Sequence, residues 1–393
     1  MKLPPYYDFF AFDIDQSEFM KLYRRICHNK RRSLSLNSYV SLCRTLLLNG
    51  QSLSEYVHDT LISSEQPLVQ KYVKTKDPNI LAAIEHDISR IKEICSIPAS
   101  HIKKALSEAN GNDLSELPEY RLGEFSYTAE YFIEQCRENG SGVFAKNKAF
   151  RLSDNTIIPI DRPDPIRLTD LKRYEAQRGQ IIDNTLCFIN NKPANNVLLY
   201  GDRGTGKSAT VKALLNEYNT LRMIQLDKNQ ISSIFDLYGK LSDIPLHFII
   251  FIDDLCFSED DDGFFVLKQA LDGSLAAKPD NVVIYATTNR RHILKETAAN
   301  RADSFVHKSD AVDDNMSLAE RFGLFITFMA PNKDQFIDIA QKIALDKGIN
   351  VDPDTFAAGL ERFSIKRGGR SPRIAKQYVD TLEAKLSLGL NTD

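Results

Sequence analysis

The sequence predicts an α/β fold, a parallel sheet with helices on both faces, preceded by a helical N-terminal domain and followed by a small helical C-terminal domain. Three observations predict it. From Ser17 to about Asn139 apolar residues recur at helical spacing, between 166 and 330 short apolar runs alternate with helical stretches, and from Pro331 the helical period returns. At 393 residues the chain is long enough for two or three domains of roughly 100–200 residues each. The boundaries are placed at 1–165, 166–330 and 331–393.

In the N-terminal domain the clearest helix follows Asp77-Pro78, a cap and a first-turn proline, with Ile80, Ile84, Ile88 and Ile91 along one face. Leu36 to Leu48 stops at Gly50, and Tyr127 to Cys136 stops near Gly140. Ala149 to Leu152 and Ile157 to Ile160, joined by Ser153-Asp154-Asn155-Thr156, read as a hairpin ending this domain. The linker Arg162-Pro163-Asp164-Pro165 continues neither helix nor sheet. Candidate parallel strands follow at Val197 to Tyr200, Leu221 to Leu226, His247 to Ile252, Val282 to Ala286 and Leu324 to Phe328. In the last domain Phe336, Ile339, Ala340, Ile343 and Ala344 share a stripe that stops at Gly348.

Hydrophobic residues at 42% and charged residues at 26% exclude a disordered or collagen-like chain. Fifty Lys plus Arg against 53 Asp plus Glu leave a formal charge of -3, so a nucleic-acid or anionic-membrane partner needs a local patch. The run from Arg24 and Arg25 to Arg31 and Arg32 is such a patch; it suits RNA, DNA or an acidic protein, or is a charged helix end facing water. Six scattered cysteines without a CxxC pair indicate a reducing compartment. No signal peptide pattern opens the chain and no stretch reaches the roughly 18 apolar residues of a membrane span, which makes the cytoplasm the expected location.

Chemistry concentrates in the second domain. The strand Val197 to Tyr200 runs into Gly201-Asp202-Arg203-Gly204-Thr205-Gly206-Lys207-Ser208, and a helix carrying Val211, Ala213, Leu214 and Leu215 follows. This is GxxxxGK[ST] in its required setting. The glycines let backbone N–H groups cradle a phosphate, Lys207 reaches β- and γ-phosphate oxygens, and the Ser208 hydroxyl suits magnesium. Forty-six positions after Lys207, the run Phe248 to Ile252 ends in Asp253-Asp254, carboxylates expected at the ligand edge of the sheet. Asp253 is the expected magnesium partner, and Asp254 the residue that orients or deprotonates water.

These motifs, in this order from about Leu171 to Leu386, resemble AAA+ ATPases. Asn195 through Ser208, Phe251 to Asp254, Ala286-Thr287-Thr288-Asn289-Arg290-Arg291-His292 and Glu320-Arg321-Phe322-Gly323-Leu324 resemble, more narrowly, a bacterial family of predicted AAA+ ATP-binding proteins of unknown function. The resemblance implies a P-loop sheet with a helical lid, ATP and Mg2+ as ligands, and ATP hydrolysis in a ring or arc of subunits. It implies no substrate. Asp254 departs from the glutamate of most AAA+ members, which implies slow turnover or help from Glu259.

By the same resemblance Asn289 is the first sensor, an amide for the γ-phosphate or the attacking water, although Thr-Thr-Asn at a strand end is also turn chemistry. Arg321 resembles an arginine finger offered to a neighbouring subunit, against the alternative of a solvated ion pair. Arg373, in the first turn after Ser371-Pro372, sits where the helix dipole disfavours a cation unless an anion is near, and matches the second sensor. Arg370 competes for that role. Tyr174 lies where AAA+ proteins bring a linker close to adenine, or simply packs. The sequence thus points to an oligomeric ATP hydrolase working on a macromolecular client. A nucleotide-gated adaptor with negligible hydrolysis and a DNA-associated loader or initiator are the alternatives.

Overall fold

The computed structural model describes residues 9–14, 17–28, 32–111, 113–257, 262–272, 278–289, 321–350 and 352–390. It divides into two compact units, Met1–Asn147 with Asp243–Leu246, and Lys148–Ser242 with His247–Asp393.

The first unit is helical: α1 (Glu18–His28), α2 (Arg32–Asn49), α3 (Leu53–Ser63), α4 (Pro67–Thr75), α5 (Pro78–Cys95), α6 (Ala99–Asn110), α7 (Ala129–Asn139) and α8 (Val143–Lys146). Local chemistry sets the ends. Asp77 accepts from the Asn79 N–H ahead of Pro78, and Ser52 and Glu55 form a reciprocal capping box on α3. Of the predicted α5 face, Ile84, Ile88 and Ile91 are buried in one core with Leu42, Leu61, Ile102 and Phe132. The Asp87 carboxylate is buried there too and accepts from the Ala11 N–H at 2.7 Å; burial pushes its pKa up.

The second unit is built on a seven-stranded sheet ordered β2-β1-β4-β5-β6-β3-β7. Its strands are β1 (Ala149–Ser153), β2 (Thr156–Pro159), β3 (Val197–Gly201), β4 (Leu221–Leu226), β5 (His247–Ile252), β6 (Val282–Thr288) and β7 (Leu324–Phe328). All pairings are parallel except β1 with β2. The helices α9 (Glu175–Ile189), α10 (Lys207–Glu217), α11 (Ile234–Leu241) and α12 (Asp262–Asp272) lie between strands in sequence. Val197, Leu198 and Leu199 are fully buried, as are Phe248 to Ile250, which is why these strands are continuous apolar runs rather than alternating ones.

The hairpin forms where expected, with Asp154 and Asn155 both in the left-handed conformation of a two-residue type I′ turn. It does not end the helical domain. β1 pairs in parallel with β4, Ala149 opposite Met223, so the hairpin extends the sheet and the division between units falls at Asn147 and Lys148.

After β7 come α13 (Lys333–Asp346), α14 (Pro353–Arg367) and α15 (Pro372–Ser387). Phe336, Ile339, Phe356, Leu360, Val379 and Leu382 make their shared core. Asn332, Asp352 and Ser371 cap the three helices with side-chain oxygens. No helix among the described residues is long and apolar enough to cross a membrane, and no disulfide joins the cysteines.

Candidate functional site

Strand order reverses around β3. The chain leaves β3 for β4, returns through β5 and β6 to β3's near side, and places β7 on its far side. The carboxyl ends of β3, β5 and β6 therefore open into one cleft at a topological switch point. It encloses about 800 Å³, within the roughly 300–1,000 Å³ of small-molecule sites. Its lining includes Arg203 to Thr210, Asp253, Asp254, Thr287, Asn289, Arg373 and Tyr174.

The loop from β3 to α10 is shaped by close approach. At Gly201, φ is +132° and a Cβ would stand 2.1 Å from the Phe328 carbonyl oxygen of β7, so no other residue fits. Lys207 opens α10 and is only 5% exposed. Its Nζ donates to the carbonyls of Gly201 (2.9 Å) and Asp202 (2.8 Å) and to Asn289 Oδ1 (3.0 Å). Burial lowers its pKa, and Asp202, Asp254 and Asp253 act in the opposite direction. Asn289, just beyond β6, thus meets the loop lysine through Oδ1, and its Nδ2 donates to Asp254 Oδ1 at 2.5 Å.

The acidic pair is organised by hydroxyls. Ser208 Oγ and Thr287 Oγ1 both donate to Asp253 Oδ1 at 2.5 Å, while Thr287 Oγ1 accepts from the Asp254 N–H at 3.0 Å. Thr287 is buried and touches both carboxylate residues. Sequence reasoning assigned it no role; period 2 along β6 could have separated it from Thr288, since alternate residues face opposite sides. Asp254 has φ +53°, the left-handed region that Asp and Asn tolerate better than most residues. Ser208 and Asp253 present only oxygen donors side by side, a set that suits a hard divalent cation such as magnesium.

Two predicted loop residues stand apart. Gly201 and Asp202 do not line the cleft; the Asp202 carboxylate turns to the Ala330 N–H (2.7 Å). The two lid arginines also separate. Arg370 is held by both Glu361 oxygens, from Nε (3.0 Å) and a terminal nitrogen (2.8 Å), whereas Arg373 lines the cleft and donates its backbone N–H to the Gly204 carbonyl (3.2 Å). Tyr174 lines the cleft and also packs, its ring 5.1 Å from Phe328 and its hydroxyl donating to the Met329 carbonyl. Arg321 does not line its own chain's cleft and pairs with Asp272 at the end of α12. Glu259, Arg290, Arg291, His292, Glu320 and Arg31 lie outside the described residues. Within the basic run, Arg25 donates to Ser38 Oγ.

A parallel sheet with a phosphate loop after β3, an acidic pair after β5 with β6 between the two strands, and a helical lid is the expected P-loop AAA+ architecture. Among solved structures the chain is similar to the Thermotoga maritima RuvB Holliday junction branch migration motor, at 16% identity and a TM-score of 0.41 over 58% of this chain and 69% of that one. Two variants of the same Thermotoga maritima RuvB match at 16% identity over the same shares, with TM-scores of 0.40 and 0.41. Comparison with curated proteins finds no match. Residues 145–386 match the family described as protein of unknown function (DUF815), and the chain belongs to that family.

Proposed function

We propose that this protein binds ATP with magnesium at the 201–208 loop and hydrolyses it, using the resulting change between sheet and lid to do work on a macromolecular client as a self-associating AAA+ ATPase. The observation that carries the proposal is the Lys207 ammonium, buried at the phosphate loop and bonded to both loop carbonyls and Asn289. A desolvated cation at a helix N-terminus, at the mouth of a glycine-rich loop, is an anion site.

Ser208 and Asp253 would hold magnesium, which neutralises phosphate charge when bound. Arg203 to Ser208 orient the phosphates. Asp254 positions the attacking water and accepts its proton, with Asn289 fixing the carboxylate through the Nδ2 bond. Arg373 meets the γ-phosphate from the lid, and Arg321 acts across to a neighbouring subunit's site. A second reading, nucleotide-gated binding with very slow hydrolysis, is favoured by one feature: Asp254 is short, and Asn289 already engages its Oδ1.

The test combines equilibrium binding of labelled ATP with phosphate release. Lys207→Ala should abolish saturable binding, while Asp254→Asn should bind and release phosphate at least about 100-fold more slowly. Binding unaffected by Lys207→Ala rejects the site. Wild-type binding without measurable phosphate release selects the nucleotide-gated reading.

A further inference from the structure

Asp202 is an odd residue for a phosphate loop. A carboxylate close to phosphates opposes their binding, and the loop would take many neutral residues at this position. Its side chain explains its presence. Oδ2 accepts the Ala330 N–H at 2.7 Å, a charge-assisted bond, and the Asp202 N–H donates to the Phe328 carbonyl at 3.0 Å. Residue 202 thereby grips both sides of Met329, at the point where β7 gives way to the lid. Only Met329 to Asn332 separate β7 from α13, so this is the lid's hinge.

The grip is one part of a closed circuit. The Asp202 carbonyl accepts from Lys207 Nζ and from Thr205 Oγ1, both at 2.8 Å. Tyr174 holds the Met329 carbonyl at 2.6 Å. The lid then returns to the same loop two residues further on, where the Arg373 N–H meets the Gly204 carbonyl. That approach is close: a Cβ at Gly204 would stand 2.8 Å from Ser371 Oγ. The polar groups of Asp202 are therefore shared between two sides, the carbonyl with the phosphate-loop lysine and hydroxyl, the N–H and carboxylate Oδ2 with the hinge.

We propose that Asp202 is a positioning residue that clasps the lid hinge to the phosphate loop, so that a change in what Lys207 holds is passed through residue 202 to the Phe328–Ala330 segment. The inference rests on the ATP reading for the identity of the ligand, though the clasp itself does not. Lys207 now donates to loop carbonyls; turning it toward a phosphate releases the Asp202 carbonyl and alters the constraint on the residue gripping the hinge. The lid angle then depends on a carboxylate that touches neither ligand nor metal.

The test is amide exchange of the 328–334 segment in the full chain, with and without a slowly hydrolysed ATP analogue, for wild type, Asp202→Ala and Asp202→Asn, each at its own saturating concentration. Without nucleotide, Asp202→Ala should exchange the Ala330 amide at least about tenfold faster, because the acceptor is gone. Asp202→Asn keeps an oxygen there and should restore most of the protection. With nucleotide, wild type and Asp202→Asn should change hinge exchange, and Asp202→Ala should not. Ala330 protection equal to wild type in ligand-free Asp202→Ala overturns the clasp, and an undiminished nucleotide response in that variant overturns the transmission. A wild type that binds no nucleotide defeats the ATP reading and the transmission, while the ligand-free comparison still decides the clasp.

Discussion

Replacing Thr287 by valine tests how the acidic pair is held. Valine matches threonine in shape and β-branching, so packing on β6 is kept and only the hydroxyl is lost. That hydroxyl makes two bonds: it donates to Asp253 Oδ1 at 2.5 Å and accepts from the Asp254 N–H at 3.0 Å. The Asp254 N–H lies in a part-buried bond on an exposed residue, so losing its acceptor costs about 0.5–1.5 kcal/mol. The Asp253 carboxylate is exposed and keeps Ser208, so its loss is mostly made up by water. A total of about 1 kcal/mol corresponds to a fall of roughly 2–4 °C in melting temperature for a unit of this size. Turnover should fall by roughly 10- to 100-fold, because the Asp253 carboxylate and the Asp254 backbone lose their common orienting contact. Melting followed calorimetrically and steady-state phosphate release give the two numbers, and Thr287→Ser, which retains the hydroxyl, should recover most of both. If Thr287→Val matches wild type in melting and in turnover, the hydroxyl does not organise the site.

The lid arginines should separate by function. Arg373→Ala should lower kcat/KM for ATP by roughly 100-fold, while Arg370→Ala, which removes a partly exposed pair with Glu361, should cost about 1 kcal/mol or less of stability and leave turnover near wild type; kinetics on both variants that reverse this order would exchange their roles. His247 offers a pH test. Burial holds its imidazole below the ordinary histidine pKa, so the unfolded chain binds more protons, and stability is complete above about pH 6.5 and falls as the pH drops below it. The difference in melting temperature between about pH 7.5 and 5.5 should shrink in His247→Gln; an unchanged difference would mean that the ring does not titrate on unfolding.

What the sequence made legible was chemistry written in contiguous residues. The loop from Gly201 to Ser208 needs a strand before it and a helix after it, and both are local patterns. Asp253 follows a run buried on both faces, a signal strong enough to place the carboxylate at the sheet edge. Caps at Asp77 and Ser371 are similarly local, because a side chain satisfies an N–H two or three residues away. The hairpin shows where this reach ends. Its turn is fixed by Asp154 and Asn155, but its allegiance is fixed by β1 pairing with β4 some seventy residues later, and nothing in 149–160 names that partner.

The choice between Arg370 and Arg373 follows the same logic and exposes its limit. Both arginines flank a capped helix start, and the dipole argument disfavours a cation in that first turn by about 0.3–1 kcal/mol. It identifies Arg373 as unusual but cannot dispose of Arg370. Glu361 on α14 disposes of it, by taking Nε and a terminal nitrogen together, and its relevance appears only when α14 and α15 pack. Arg373 is meanwhile fixed by a contact across 169 positions, its N–H on the Gly204 carbonyl, which also satisfies one of the N–H groups that α15 leaves open at its start. The helix that presents the cation is thus anchored on the loop that would hold the anion. A first-turn arginine is tolerable there because the same geometry brings it to the place where negative charge is expected.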